Sequence, residues 1–316
     1  MSRFLAVLSG FDNPLIVKDG ISRMRSWRAP LAITLYLGLL GAFGYAIFTI
    51  AVLSTQFTRT ASSAQIGGSV FVSLAFFQLA LISLFAPALA AGAISGERER
   101  QTFDVLLVSR VSAFGIVWGK LVASLAYLVL LILTALPLFA AVFLFGGIDF
   151  EQFVLAHVLT IMTALSIGAV SLFWSALFRR SLPATVTSYA TTFFLVVGTF
   201  VAGLLLTYIY AFRDGVAAAS NFEFHPLAYG NPLFAMYVVL ASPSGAPVHL
   251  GRLLQLLFMS GGDPSRWGPE LEPWKLCVAF EMILTALAIF GSVLLVRGRR
   301  AMPLRRVRPA MPEPAA

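Results

Sequence analysis

The sequence predicts an all-α integral membrane protein with six transmembrane helices. Two observations carry that prediction and a third orients it. Of 316 residues, 59% are hydrophobic and only 11% are charged, against about 45–50% apolar and about 25% charged in a soluble domain. The apolar residues gather into six runs, each long enough for a bilayer, which takes about 20 helical residues to cross. Seventeen of the 22 Lys and Arg residues fall in connections on one side of those runs, and five on the other. In a soluble chain a net charge of +8 would raise nucleic-acid binding. Here the basic residues flank apolar runs, so the partners expected are membrane lipids and not nucleic acid.

Residues 1–29 are basic and read as a cytoplasmic, interfacial segment. Asn13-Pro14 is a helix start, because Asn caps and Pro fits the first helical position. Val17, Ile21, Met24 and Trp27 then form one apolar stripe, with Lys18, Ser22, Arg23 and Arg25 largely elsewhere on the wheel. Such a helix lies flat at the headgroups, basic face to the lipid phosphates.

The six-helix domain covers 30–296. The apolar runs are 30–53, 68–94, 121–148, 152–178, 182–212 and 276–296. Pro137 falls near the middle of the third run, where a kink is expected. Asp149-Phe150-Glu151 reads as a very tight turn between the third and fourth. Glu281 interrupts the sixth. The Lys/Arg asymmetry puts both termini in the cytoplasm. It leaves an extracytoplasmic insertion at 213–274, rich in Pro and Gly, in which Asn231-Pro232 opens an apolar stretch too short to span; one or two short helices are expected there. The tail, 297–316, is basic and Pro-rich. The single cysteine, Cys277, excludes an intrachain disulfide and a cysteine-based metal site.

The most informative stretch is 95–120, SGERERQTFDVLLVSRVSAFGIVWGK. Glu97, Arg98, Glu99 and Arg100 cannot sit in hydrocarbon, so the chain leaves the membrane here. Glu97 and Glu99 suit the first turn of a helix, where the dipole favours anions. Phe103, Leu106 and Leu107 follow at helical spacing and make one apolar face. A plain solvated loop would account for the charges alone. The alternating signs together with that apolar face favour a helix, within 95–113, that docks a soluble partner.

This stretch resembles the cytoplasmic coupling segment of type-2 (exporter-like) ABC transporter permeases. The matching residues are Gly96, Glu97, Arg98, Glu99, Thr102, the Leu106-Leu107 pair, and Gly119-Lys120 at the re-entry. One departure is Ser109-Arg110, where many such permeases carry Ser/Thr-Pro. The segment NPLIVKDGISRMRSWRAP is similar to the family's amino-terminal elbow helix. The resemblance implies a plasma (inner) membrane permease subunit, a second permease subunit as homo- or heterodimer, and two copies of a cytoplasmic ABC ATPase. It implies export, with an unidentified substrate. ATP and Mg would be held by the ATPase; no cofactor is expected on this chain. Gly96, Glu97, Arg98, Glu99, Arg100, Thr102, Phe103, Leu106 and Leu107 would carry the coupling. A non-transporting anchor of an envelope or motility machine is the alternative on the same fold.

Other residues carry weaker expectations. A phosphate loop needs G-x-x-x-x-G-K-[ST]. Gly119-Lys120 has Phe114 where the first Gly belongs and Leu121 where the hydroxyl belongs, so the chain is not expected to be an enzyme. Ser95 and His157 read as lying at opposite faces of the membrane and cannot form a nucleophile–base pair. Arg179 and Arg180 are a possible second partner contact, although orientation alone explains them. Gln78, His157 and Glu281 are a possible intramembrane polar site. For Gln78 and His157 interhelical hydrogen bonds are favoured over substrate contact. Glu281 is expected to snorkel outward or pair with Lys275. Gly38, Gly41 and Gly44, and Gly198, Ala202 and Gly203, form small-residue faces that suit either intrachain packing or a dimer contact.

Overall fold

The structure, a computed structural model, describes residues 27–58, 62–103, 112–213, 228, 230–240 and 273–300. The elbow segment, Leu106, Leu107, Ser109-Arg110, most of the 213–274 insertion and the tail beyond 300 lie outside the described residues. The described part is all helical: α1 (Arg28–Thr58), α2 (Ser63–Ala90), α3 (Ser95–Glu99), α4 (Ala113–Phe143), α5 (Phe150–Leu177), α6 (Ser181–Phe193), α7 (Thr199–Arg213), α8 (Pro232–Leu240) and α9 (Pro273–Arg300). A π-helical turn, Phe194–Gly198, joins α6 to α7. Six helical spans are long and apolar enough to cross a membrane.

The span ends differ from the apolar runs for local reasons. α2 begins at Ser63 because Ser62 and Gln65 form a reciprocal capping box. α4 begins at Ala113, not at 121, because the Ser112 hydroxyl accepts the Gly115 N–H at 3.0 Å. Lys120 is therefore two turns inside a helix. The turn between the third and fourth spans is not at 149–151 as the sequence suggested. It occupies 144–149, where Gly146 and Gly147 take φ of +82° and +88°. Asp149 then caps α5 in a box with Gln152.

α2 and α5 form the middle of the bundle. Within an 18-residue apolar stretch of each span, 72% of the residues are buried in the span that holds α2 and 61% in α5, against 17% each in α1 and the α6–α7 span. α5 packs most extensively against α9 and α2. One core cluster, including Phe71, Leu79, Leu131, Phe139 and Met236, fills the half of the bundle nearer α8. A second, around Ile94, Phe103, Val117, Leu121, Leu172 and Val296, fills the half nearer α3. Hydroxyls in the apolar spans are turned back on their own helices: Ser73, Ser83, Thr160, Ser188 and Ser292 each donate to the carbonyl four residues earlier. Little polar surface is thereby left facing hydrocarbon.

The π turn interrupts the fifth span. Such a turn breaks the regular ladder of carbonyls. Here the Asn231 amide donates to Leu195 O (3.4 Å), Val196 O (2.8 Å) and Thr199 Oγ1 (2.7 Å). Its Oδ1 accepts the N–H groups of Leu233 and Phe234. One fully buried side chain thus caps α8 and satisfies the irregular turn in span five. Asn231→Ala is expected to destabilise the protein by about 2–3 kcal/mol, since buried donors and acceptors are orphaned together. Thermal unfolding in detergent checks this.

Candidate functional site

α3 is only five residues long, so it has no stability of its own. Its position comes from side chains that reach across to other helices. Ser175 Oγ, on α5, accepts the N–H groups of Ile94 (2.9 Å) and Ser95 (3.0 Å). These are donors that a helix start leaves without a partner. The buried Ser95 hydroxyl donates to Ala91 O and lies 3.2 Å from Ser175 Oγ.

Two of the charged residues of α3, Glu97 and Arg98, turn towards the protein, whereas Glu99 is exposed and reaches along the surface to α6. Glu97 is paired with Lys120 Nζ, which is 5% exposed. Arg98 Nη1 donates to Phe178 O at 2.7 Å and Nη2 to Ala176 O at 2.8 Å. These carbonyls belong to the last turn and cap of α5, where a cation meets the negative end of the helix dipole. The Arg98 guanidinium lies 4.8 Å from the ring centroid of Phe103, which is buried. Glu99 Oε1 accepts the Ser181 N–H at 2.8 Å, and Oε2 accepts the Ser181 hydroxyl at 2.7 Å. Ser181 is the first residue of α6, so Glu99 caps that helix at its positive end.

Three consecutive side chains therefore connect the end of α2 to α4, α5 and α6. The chain then turns: Thr102 N–H and its hydroxyl both meet Glu97 O, and Gln101 takes φ of +59°. Arg100, Gln101 and Thr102 are exposed. Arg179 and Arg180 are exposed beside them, in the connection from α5 to α6 that Arg98 and Glu99 grip at either end. The sequence spacing brought Glu97 to Arg100 together but did not reveal which charge faces inward. Lys120 was legible as part of the motif, not as the partner of Glu97. No pattern marks Ser175 or Ser181 among the many hydroxyls of the chain.

The intramembrane residues separate. Gln78, buried on α2, lies beside Tyr36 of α1. His157 Nδ1 bonds to Phe153 O at 2.8 Å, and its ring packs edge-on against Phe139 with centroids 4.8 Å apart. The Gln78 contact joins α2 to α1, whereas the hydrogen bond of His157 stays within α5 and only its ring meets another helix, α4. Glu281 does not snorkel: it is 5% exposed and accepts the Thr163 hydroxyl at 2.8 Å. Thr163 lies near the middle of α5, so this carboxylate is deep in the bundle. The Lys275 ammonium is 5.6 Å from the Trp274 ring centroid. Of the small-residue faces, Gly44 meets Leu74 and Gly203 meets Ala228, whereas Gly38 and Gly41 face open space.

A search of curated proteins returned no match. A family model described as ABC-2 family transporter protein matches residues 54–296, which takes in most of the described helices and all of α3. With that match over most of its length and six membrane-crossing helices, the chain belongs to the ABC-2 family of transporter proteins and is an integral membrane permease.

Proposed function

We propose that this chain is the membrane subunit of an ATP-driven exporter, powered by two copies of a separate cytoplasmic ATPase that dock against α3 and the exposed residues after it. The observation that carries the reading is the connection made by Glu97, Arg98 and Glu99. A load applied at α3 acts at once on the end of α2, the start of α4, the end of α5 and the start of α6. Transport by alternating packings needs such a rigid link between motor and bundle. Arg100, Gln101, Thr102, Arg179 and Arg180 form the outward face of this end and are the docking residues, together with Leu106 and Leu107. The Lys/Arg asymmetry supports a cytoplasmic location for this face and for both termini. ATP and Mg belong to the ATPase. A second permease subunit would cover α1 and the α6–α7 span, which expose large apolar side chains such as Leu35, Leu39, Val186 and Phe193.

The reading is tested at Arg100, which is exposed. The only native cysteine, Cys277, is buried, so Arg100→Cys provides a single reactive thiol. A membrane-impermeant maleimide is expected to label it in inside-out vesicles and not in intact cells. A thiol crosslinker at the same position is expected to capture an ATPase subunit. Labelling from outside would overturn the orientation, and failure to capture any nucleotide-hydrolysing chain would overturn the docking face.

A further inference from the structure

Glu281, Thr163 and Ser166 line a cavity of about 20 Å³ that is also bounded by Leu195 and Val196 of the π turn and by Gly230. Three independent observations meet there. First, Glu281 Oε1 holds the Thr163 hydroxyl, but Oε2 is buried with no hydrogen-bond partner. Second, among the described residues no Lys, Arg or His lines the cavity, and an uncompensated carboxylate in a medium of low polarity is strongly disfavoured. Third, the Ser166 side chain joins that of Thr163 in the lining. A carboxylate and two hydroxyls are the hard oxygen donors that alkali cations prefer.

We propose that this cavity binds one small monovalent cation, with Glu281, Thr163 and Ser166 as its side-chain ligands. The charge follows from the donor set. One carboxylate balances one positive charge, and a divalent ion would leave an excess charge buried. Among the described residues, moreover, no group of three His, Cys, Asp or Glu gathers to hold such an ion. The size follows from the volume. About 20 Å³ is room for one body the size of a water molecule, which suits a small ion. The bound ion joins α5, the π turn between α6 and α7, and α9 through a single contact. Its presence therefore bears on how the α6–α7 span packs against the bundle, independently of any ATPase.

The test is the thermal unfolding of the purified full-length protein in detergent, followed by tryptophan fluorescence. Lithium, sodium and potassium chlorides are compared with choline chloride at equal ionic strength and pH. One of the small cations is expected to raise the midpoint saturably, by about 5 °C, since a ligand that binds only the folded state stabilises it by mass action. Glu281→Gln removes the charge at nearly constant shape and is expected to abolish the cation response. Ser166→Ala is expected to raise the half-saturating concentration several-fold. If Glu281→Gln does not fold, the Ser166→Ala and Thr163→Val variants carry the comparison. A midpoint that does not distinguish the small cations from choline overturns the proposal, as does an equal response in Glu281→Gln. A midpoint that follows pH alone also overturns it, because a proton would then suffice.

Discussion

Replacing Arg98 with alanine is expected to lower the stability of the protein by about 4 kcal/mol, the largest effect of any single charge in the α3 region. The guanidinium donates to two carbonyls at the end of α5, at 2.7 and 2.8 Å. Hydrogen bonds from a charged donor contribute about 1.5–3 kcal/mol each, and their loss leaves part-buried carbonyls without a partner. The contact with the Phe103 ring goes with them. Arg98→Lys separates charge from geometry. A lysine ammonium keeps the charge near the helix end but has no planar fork to reach Ala176 O and Phe178 O together. It is expected to recover less than half of the loss. On the proposed function, Arg98→Ala in a complex reconstituted with an ATPase subunit should depress transport more than ATP hydrolysis. Equal melting of wild type and Arg98→Ala would remove the basis for treating α3 as the connection between the spans.

Gly147→Ala is expected to prevent folding, at a cost above about 4 kcal/mol. Two effects act in the same direction. The residue has φ of +88°, a conformation that costs an L-residue with a side chain about 1–2 kcal/mol. A Cβ there would also lie 1.9 Å from Ala64 O and 2.8 Å from Ala64 C. Both atoms are backbone at the start of α2, so neither can move without shifting the helix. A Cβ at Gly67, on the same helix, would lie 2.5 Å from Gly146 O. The turn between α4 and α5 is thus seated directly on the first turns of α2. Gly92→Ala is the control: an added Cβ meets nothing within 4 Å, and its effect should stay within about 0.5 kcal/mol. The fraction recovered as a monodisperse species after detergent extraction distinguishes the two variants. A folded Gly147→Ala protein with an unchanged melt would show that the turn is not held against α2.

The six spans were legible because their signal is compositional. Twenty apolar residues in succession have few structures open to them besides a membrane helix, whatever surrounds them. The motif at Gly96 to Thr102 was legible for a related reason: four charges between two apolar runs mark where the chain leaves the membrane. The span ends were less so. Lys120 reads as the end of a polar connection, yet it lies inside α4, and the carboxylate that accompanies it, Glu97, is 23 residues away. Glu281 reads as a residue near an interface. Its actual depth follows from Thr163, on a helix more than a hundred residues earlier.

What the chain's composition and charge order dictate is the number of crossings, their approximate bounds and the place where a charged segment must emerge, since these depend on the cost of putting particular residues into hydrocarbon. Which way each emerging charge turns is settled only by the packing of α2, α4, α5 and α6. Glu97, Arg98 and Glu99 are consecutive, and local spacing cannot distinguish a charge that faces solvent from one that meets a helix end. Glu97 meets a lysine two turns into α4, Arg98 two carbonyls at the end of α5, and Glu99 the amide and hydroxyl of the serine that starts α6. Helix ends expose unsatisfied groups wherever they occur, and only the three-dimensional arrangement brings the end of α5 and the start of α6 to the same five residues.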